Sequence, residues 1–213
     1  MIQSKSASRC ACRNGGSPSM ENHFDSTAAR KAALRAQARA FLRQAGPERT
    51  DAWGRAMAGY LAESELWKKA GTVFCFVSTA REPSTRPLLE LALAQGKTLC
   101  VPRTGPEGFM EAVPLTSLEQ LTPARFGLLE PAPGLPALAP ERLDLVVAPC
   151  LMAAPDGLRL GQGGGYYDRF LPRCHCPVVL LCPSALVQND LPAEAHDRRA
   201  DLVLTEQGFG FEG

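Results

Sequence analysis

The chain has 213 residues, 45% of them hydrophobic and 21% charged, with a formal net charge of +1. That is the composition of a globular protein long enough to bury a substantial core. The near-neutral balance excludes a global field aimed at nucleic acid or an anionic membrane, and no apolar run approaches the roughly 20 residues of a membrane span.

The opening "MIQSKSASRCACRNGGSPSME" is small, polar and rich in Ser and Arg. It has no apolar h-region of a signal peptide. We read residues 1–21 as a disordered tail and residues 22–213 as a single domain. "DSTAARKAALRAQARAFLRQAG" then predicts a helix. Asp25, Ser26 or Thr27 can cap it, and Gly46-Pro47 ends it. Leu34, Ala38, Phe41 and Leu42 form its apolar stripe. Lys31, Arg35, Arg39 and Arg43 step by four along another face, which on spacing alone is a solvated basic face. A second helix is predicted over Arg49–Trp67.

The rhythm then changes. "TVFCFV" is a continuous apolar run, as in a strand covered on both faces. "RPLLELALAQGK" predicts a helix closing at Gly96, and "TLCVPR" a strand ending on Pro102-Arg103. A proline-rich connector, "EPAPGLPALAP", follows "FMEAVPL". "LDLVVAPC", "PVVLLC" and "DLVLTE" are further strands, with a helix starting near Tyr166 between the first two. Strands alternating with helices predict an α/β fold with a mainly parallel, Rossmann-like sheet. Ligands in such sheets bind beyond the carboxyl ends of the strands. That directs attention to "STARE" after Val77, to Arg103, to the segment after Val147, and to the loop beyond Cys182.

Of the eight cysteines, Cys75, Cys100, Cys150 and Cys182 lie in or beside apolar strand-like runs, where a free thiol behaves as a small hydrophobe. Cys174 and Cys176 flank His175, but no second ligand pair completes a zinc site. A reduced, cytoplasmic protein is the expectation.

The densest signal is "LRLGQGGGYYDRFLPR", Leu158–Arg173. Gly161, Gly163, Gly164 and Gly165 strip side chains from the backbone, and Tyr166, Tyr167 and Asp168 follow at once. Neither the dinucleotide fingerprint nor the Walker loop fits, because Tyr166 stands where each requires a glycine. This excludes the common NAD-dependent oxidoreductase pattern. Glycines ahead of a helix can nonetheless expose successive N–H groups as an anion nest.

"GLRLGQGGGYYDRFLPR" resembles the signature of the 5-formyltetrahydrofolate cyclo-ligase (methenyltetrahydrofolate synthetase) family, roughly R-L-G-x-G-x-G-Y-Y-D. Lys31-x-x-x-Arg35, Glu82, Pro102-Arg103, Glu130-Pro131, His196-Asp197, Asp201 and Thr205 fall in the family's order, so the resemblance spans roughly Ala29–Glu206. It implies an enzyme with a three-layer α/β/α fold, ATP as co-substrate and Mg²⁺ as cofactor. The implied reaction converts 5-formyltetrahydrofolate to 5,10-methenyltetrahydrofolate with release of ADP and phosphate.

The resemblance also implies roles. Lys31, Arg35, Arg159, Gly161, Gly163, Gly164, Gly165, Tyr166 and Tyr167 would bind ATP. Asp168 and Asp197 would hold Mg²⁺. Val77, Glu82 and Arg103 would meet the folate, and Glu82, Tyr166 and Tyr167 would act in catalysis. A monomer is expected, working on small molecules with no nucleic-acid or membrane partner. One stretch departs from the family: Cys150 to Ala154 lacks the usual Phe-Asp pair.

Overall fold

A computed structural model describes residues 21–194 and 197–210. The expected tail over residues 1–21 therefore falls almost wholly outside the described residues, as does His196. Helix α1 (Glu21–Glu63) is broken by the left-handed backbone of Gly46 (φ 74°), after which Pro47 starts a new helical direction. Ser64 interrupts the second half and caps α2 (Glu65–Lys69), its hydroxyl accepting from the Trp67 N–H at 3.2 Å.

Strand β1 (Thr72–Cys75), helix α3 (Arg86–Ala94) and strand β2 (Thr98–Thr104) follow. Strand β3 (Met110–Leu115) turns back antiparallel along β2, and β4 (Leu121–Pro123) and β5 (Leu129–Pro131) form a small hairpin in the connector. Strand β6 (Leu145–Pro149) leads to a second hairpin, β7 (Met152–Ala153) with β8 (Arg159–Leu160), and then to the short helix α4 (Tyr166–Phe170). Strands β9 (Val178–Leu181), β10 (Leu202–Thr205) and β11 (Gly208–Phe209) complete the order.

The main sheet runs β11-β10-β9-β6-β1-β2-β3. The strands from β10 through β2 are all parallel to their neighbours, and antiparallel β11 and β3 close the two edges. This is the α/β, mainly parallel architecture that the sequence predicts. Val73, Leu145, Val146, Val147, Val178 and Val179 are all fully buried, because helices and loops cover both faces of these strands. Helix α1 packs on β10 and β11 and against α3. No described helix is long and apolar enough to cross a membrane.

The topology locates the crevice. After β1 the chain builds outward through β2, and then returns to place β6 on the other side of β1. Connections leaving β1 and β6 diverge, which opens a cleft at the carboxyl ends of these two strands. Glu82 lies in the segment after β1, and the glycine loop in the segment after β6.

Candidate functional site

The segment after β1 is held rigidly. The Ser78 N–H donates to the Thr85 hydroxyl at 3.0 Å, and the Thr85 N–H donates to the Ser78 hydroxyl at 3.0 Å. The Ser84 N–H reaches the Thr50 carbonyl on α1 at 3.0 Å. Within this turn Glu82 Oε2 accepts from both the N–H (2.8 Å) and the hydroxyl (2.9 Å) of Thr79. Burial pushes the Glu82 pKa up, and the two Thr79 bonds only partly oppose that shift. Glu82 is thus a desolvated carboxyl with one oxygen tied down.

Across the crevice stands Tyr167. Its ring meets Phe74 of β1 edge-on, with centroids 6.4 Å apart, and the Arg159 guanidinium lies 5.3 Å from its centroid. Burial pushes the phenol pKa up; Arg159 opposes this, while Cys75 and Glu82 add to it. The Tyr167 phenol stays protonated and keeps its donor at neutral pH. Tyr166 is half-buried against the core.

Arg159 donates to Asp168 Oδ1 at 2.6 Å, and only 6% of its side chain is exposed. Asp168 is thereby paired with Arg159, and its neighbour Arg169 is directed elsewhere. The glycine loop lies alongside α1. Arg35 Nε donates to the Gly161 carbonyl at 2.9 Å. Arg39, one turn further on, donates to the Gln162 side-chain oxygen at 2.9 Å. Gly163 (φ 100°) and Gly165 (φ 68°) are left-handed, a conformation that side chains disfavour. The N–H groups of Gly163, Gly164 and Gly165 find no acceptor among the described residues.

Lys31 is buried on the same face of α1. Its ammonium donates to Glu194 Oε2 at 2.6 Å and to Asp197 Oδ2 at 2.8 Å. Burial alone would lower its pKa, but the bonds to Asp197 and Glu194 outweigh this and raise it. Since Lys31 and Arg35 are separated by one helical turn, about 6 Å along the axis, α1 brings the Asp197 carboxylate alongside the glycine loop. Asp168 and Asp197 are hard oxygen donors of the type that holds Mg²⁺ when phosphate oxygens complete its shell. Among the described residues no cluster of three His, Cys, Asp or Glu side chains forms a metal site without such help.

The remaining expected residues divide. Val77 is half-buried at the mouth of the crevice. Arg103 has partners outside this group. Its guanidinium binds Glu111 Oε2 of β3 (2.9 and 2.7 Å) and the Leu135 carbonyl (2.8 Å), and it borders a separate cavity of about 480 Å³ with Thr104, Thr122 and Glu130. Three residues joined to the site were not singled out by the sequence reading. Thr79 anchors Glu82, Glu194 shares Lys31, and Arg39 meets the loop. Arg39 carried a sequence signal in its four-residue step from Arg35, whereas Thr79 and Glu194 were indicated only as members of the segments that follow β1 and β9.

Residues 27–206 match the family model described as the 5-formyltetrahydrofolate cyclo-ligase family. The chain belongs to this family. It is 31% identical over 160 residues to the 5-formyltetrahydrofolate cyclo-ligase of Mycolicibacterium smegmatis, covering 70% of this chain and 80% of that protein. It is 29% identical over 189 residues to the 5-formyltetrahydrofolate cyclo-ligase of Mus musculus, covering 83% and 93%. Among solved structures, the 5,10-methenyltetrahydrofolate synthetase of Aquifex aeolicus superposes with a TM-score of 0.75 at 26% identity, covering 84% of this chain and 91% of that one. In this cyclo-ligase-family chain the departing stretch Cys150 to Ala154 is entirely buried, with Met152 and Ala153 forming β7. Apolar packing accounts for the residues that stand there.

Proposed function

We propose that the protein cyclises 5-formyltetrahydrofolate to 5,10-methenyltetrahydrofolate, using ATP and Mg²⁺ and releasing ADP and phosphate. One observation carries this reading. The crevice at the carboxyl ends of β1 and β6 brings together a desolvated carboxyl, Glu82, and a glycine loop, left-handed at Gly163 and Gly165, that is flanked by Arg35, Arg39 and Arg159.

The chemical difficulty is a formamide oxygen that cannot depart as hydroxide at neutral pH. In the proposed route this oxygen attacks the γ-phosphoryl group, forming an iminium phosphate and ADP. The amine at position 10 adds to the activated carbon and gives up its proton. That addition closes the five-membered ring, and phosphate then leaves with the former formyl oxygen, so that the bridging carbon becomes the methenyl group. Phosphoryl transfer depends mainly on positioning and on neutralising charge. The N–H groups of Gly161, Gly163, Gly164 and Gly165 would donate to phosphate oxygens, with Lys31, Arg35 and Arg159 supplying positive charge. Tyr166 and Tyr167 would line the junction of nucleotide and folate, the Tyr167 hydroxyl donating to a developing oxyanion. Glu82 would accept the proton from position 10, a task suited to a carboxylate whose pKa burial has raised. Val77 would line the pterin, and Arg103 would meet the folate from the neighbouring cavity. Asp168 and Asp197 would hold Mg²⁺, which when bound neutralises phosphate charge.

The test is an absorbance assay for the methenyl product, with ATP and Mg²⁺ omitted in turn. Product should form only when both are present. A protein that binds ATP yet forms no product from 5-formyltetrahydrofolate would overturn the reading in favour of a nucleotide-binding protein on the same scaffold.

A further inference from the structure

Arg169 is not accounted for by the chemistry above, yet its position is highly constrained. Asp168, its neighbour in sequence, is occupied by Arg159. The Arg169 guanidinium instead lies between two left-handed glycines from distant parts of the chain. These are Gly108 (φ 76°), at the tip of the turn joining β2 to β3, and Gly165 (φ 68°), at the end of the glycine loop. A Cβ at either glycine would overlap Arg169 Nη1. The residue before Gly108, Glu107, is itself left-handed (φ 56°), a backbone cost that the turn bears to reach this position. From between the glycines, Arg169 Nη1 donates to the Gly164 carbonyl at 3.2 Å.

We propose that Arg169 is a positioning residue that fixes the polarity of the glycine loop, an inference that rests on the loop binding phosphate. A trans peptide points its C=O and N–H in opposite directions. Holding the Gly164 carbonyl against Arg169 therefore turns the Gly165 N–H the other way, out of the Arg169 contact. A run of glycines has little side-chain resistance to a flip of such a peptide plane, and a flipped plane would present a carbonyl oxygen to an anion in place of a donor. Nothing within Gly163–Gly165 can prevent this, because no member has a side chain. The restraint has to come from outside the loop. Arg169 supplies it, braced in turn by the β2–β3 tip at Gly108. The contact to Gly164 is long and exposed, so its contribution is to orientation of the loop more than to stability of the fold.

The experiment compares the wild type with Arg169→Met and Arg169→Lys, and with Gly108→Ala, which crowds the guanidinium from the hairpin without touching the loop. Titration calorimetry reads ATP affinity in the presence of Mg²⁺, and steady-state kinetics read the two Michaelis constants. Arg169→Met should weaken ATP binding by about tenfold, the loss expected for one charge-assisted orienting contact. Lysine, which can still donate to the Gly164 carbonyl, should recover part of that loss, and Gly108→Ala should reproduce the loss. The Michaelis constant for the folate should stay close to wild type in every variant, and so should the unfolding temperature of the two Arg169 variants; Gly108→Ala, placed in a left-handed position, should unfold at a lower temperature. If Arg169→Met binds ATP as tightly as wild type, or if both Michaelis constants rise together, the positioning role is refuted. A wild-type protein that takes up no ATP would remove the reading beneath it as well, so the two failures are distinguishable.

Discussion

Replacing Asp168 by Asn separates a metal ligand from a counter-ion. The side chains are nearly isosteric, so Oδ1 can still accept from Arg159, now 2.6 Å away, but without its charge. Arg159 is 6% exposed and Asp168 30% exposed, and Arg159 Nε is buried without a partner among the described residues. Breaking a fully buried pair costs about 3–5 kcal/mol. With solvent screening on the Asp168 side and the hydrogen bond retained, the expected loss is about 1–2 kcal/mol. A domain of this size shifts by about 2–4 °C per kcal/mol, so Tm should fall by about 2–8 °C. That loss leaves a protein of ordinary stability folded at 25 °C, and unfolding therefore cannot account for a large drop in rate. If Asp168 binds Mg²⁺, turnover should fall about a hundredfold, equivalent to about 2.7 kcal/mol of transition-state stabilisation. The Mg²⁺ concentration for half activity should rise. Thermal unfolding and a Mg²⁺ titration of methenyl formation measure both. Normal turnover with unchanged Mg²⁺ dependence, alongside the Tm loss, would refute the metal role and leave Asp168 as the counter-ion of Arg159.

Three further outcomes are expected. Arg35→Ala should raise the Michaelis constant for ATP well beyond that for the folate, because the Arg35 side chain meets the glycine loop and not the Glu82 turn; equal effects would mean the α1 face is misassigned. Glu82→Gln should abolish turnover yet leave the protein more stable at neutral pH, since the amide oxygen can still accept from Thr79 without the cost of a buried charge. Because burial raises the folded-state pKa, wild type should match the variant below the ordinary value of 4.5 and lose stability relative to it as pH rises above that value; denaturant titrations at low and neutral pH measure the difference. Gly54→Ala should be destabilising by about 1–3 kcal/mol and should lower turnover, because its Cβ would overlap the Ser84 backbone and push the Glu82 turn off α1; a variant with wild-type Tm would show that the turn yields at no cost.

The parallel strands were legible because burial on both faces leaves continuous apolar runs, as in "LDLVVAPC". The edges were not. β3 carries Pro114 and, apart from one bridge between Ala112 and Leu138, pairs only with β2, a placement that tolerates proline and blurs the strand pattern. The hairpins β4–β5 and β7–β8 are too short to show a period. Gly46-Pro47 was read correctly as the end of a helical direction, but Ser64, which interrupts the second helix, has no comparable breaker signature. The glycine loop could be read because its spacing is local. The partners of Lys31 could not, since Glu194 and Asp197 lie 163 and 166 residues away in the chain. A row of cations on a helix looks the same whether it faces water or carboxylates. Arg39 shows the difference: its spacing suits a solvated face, yet the fold lays Gln162 against it.

That long separation also governs how the protein is made. At a synthesis rate of about 5–20 residues per second, roughly 8–30 seconds pass between the appearance of Lys31 and that of Glu194. Throughout that interval the first helix exists without the carboxylates that compensate its buried ammonium. Burying this cation before they arrive would be costly. The loop between β9 and β10 is therefore the one that permits the first helix to dock, and the glycine-loop side of the crevice is completed only after that loop has left the ribosome.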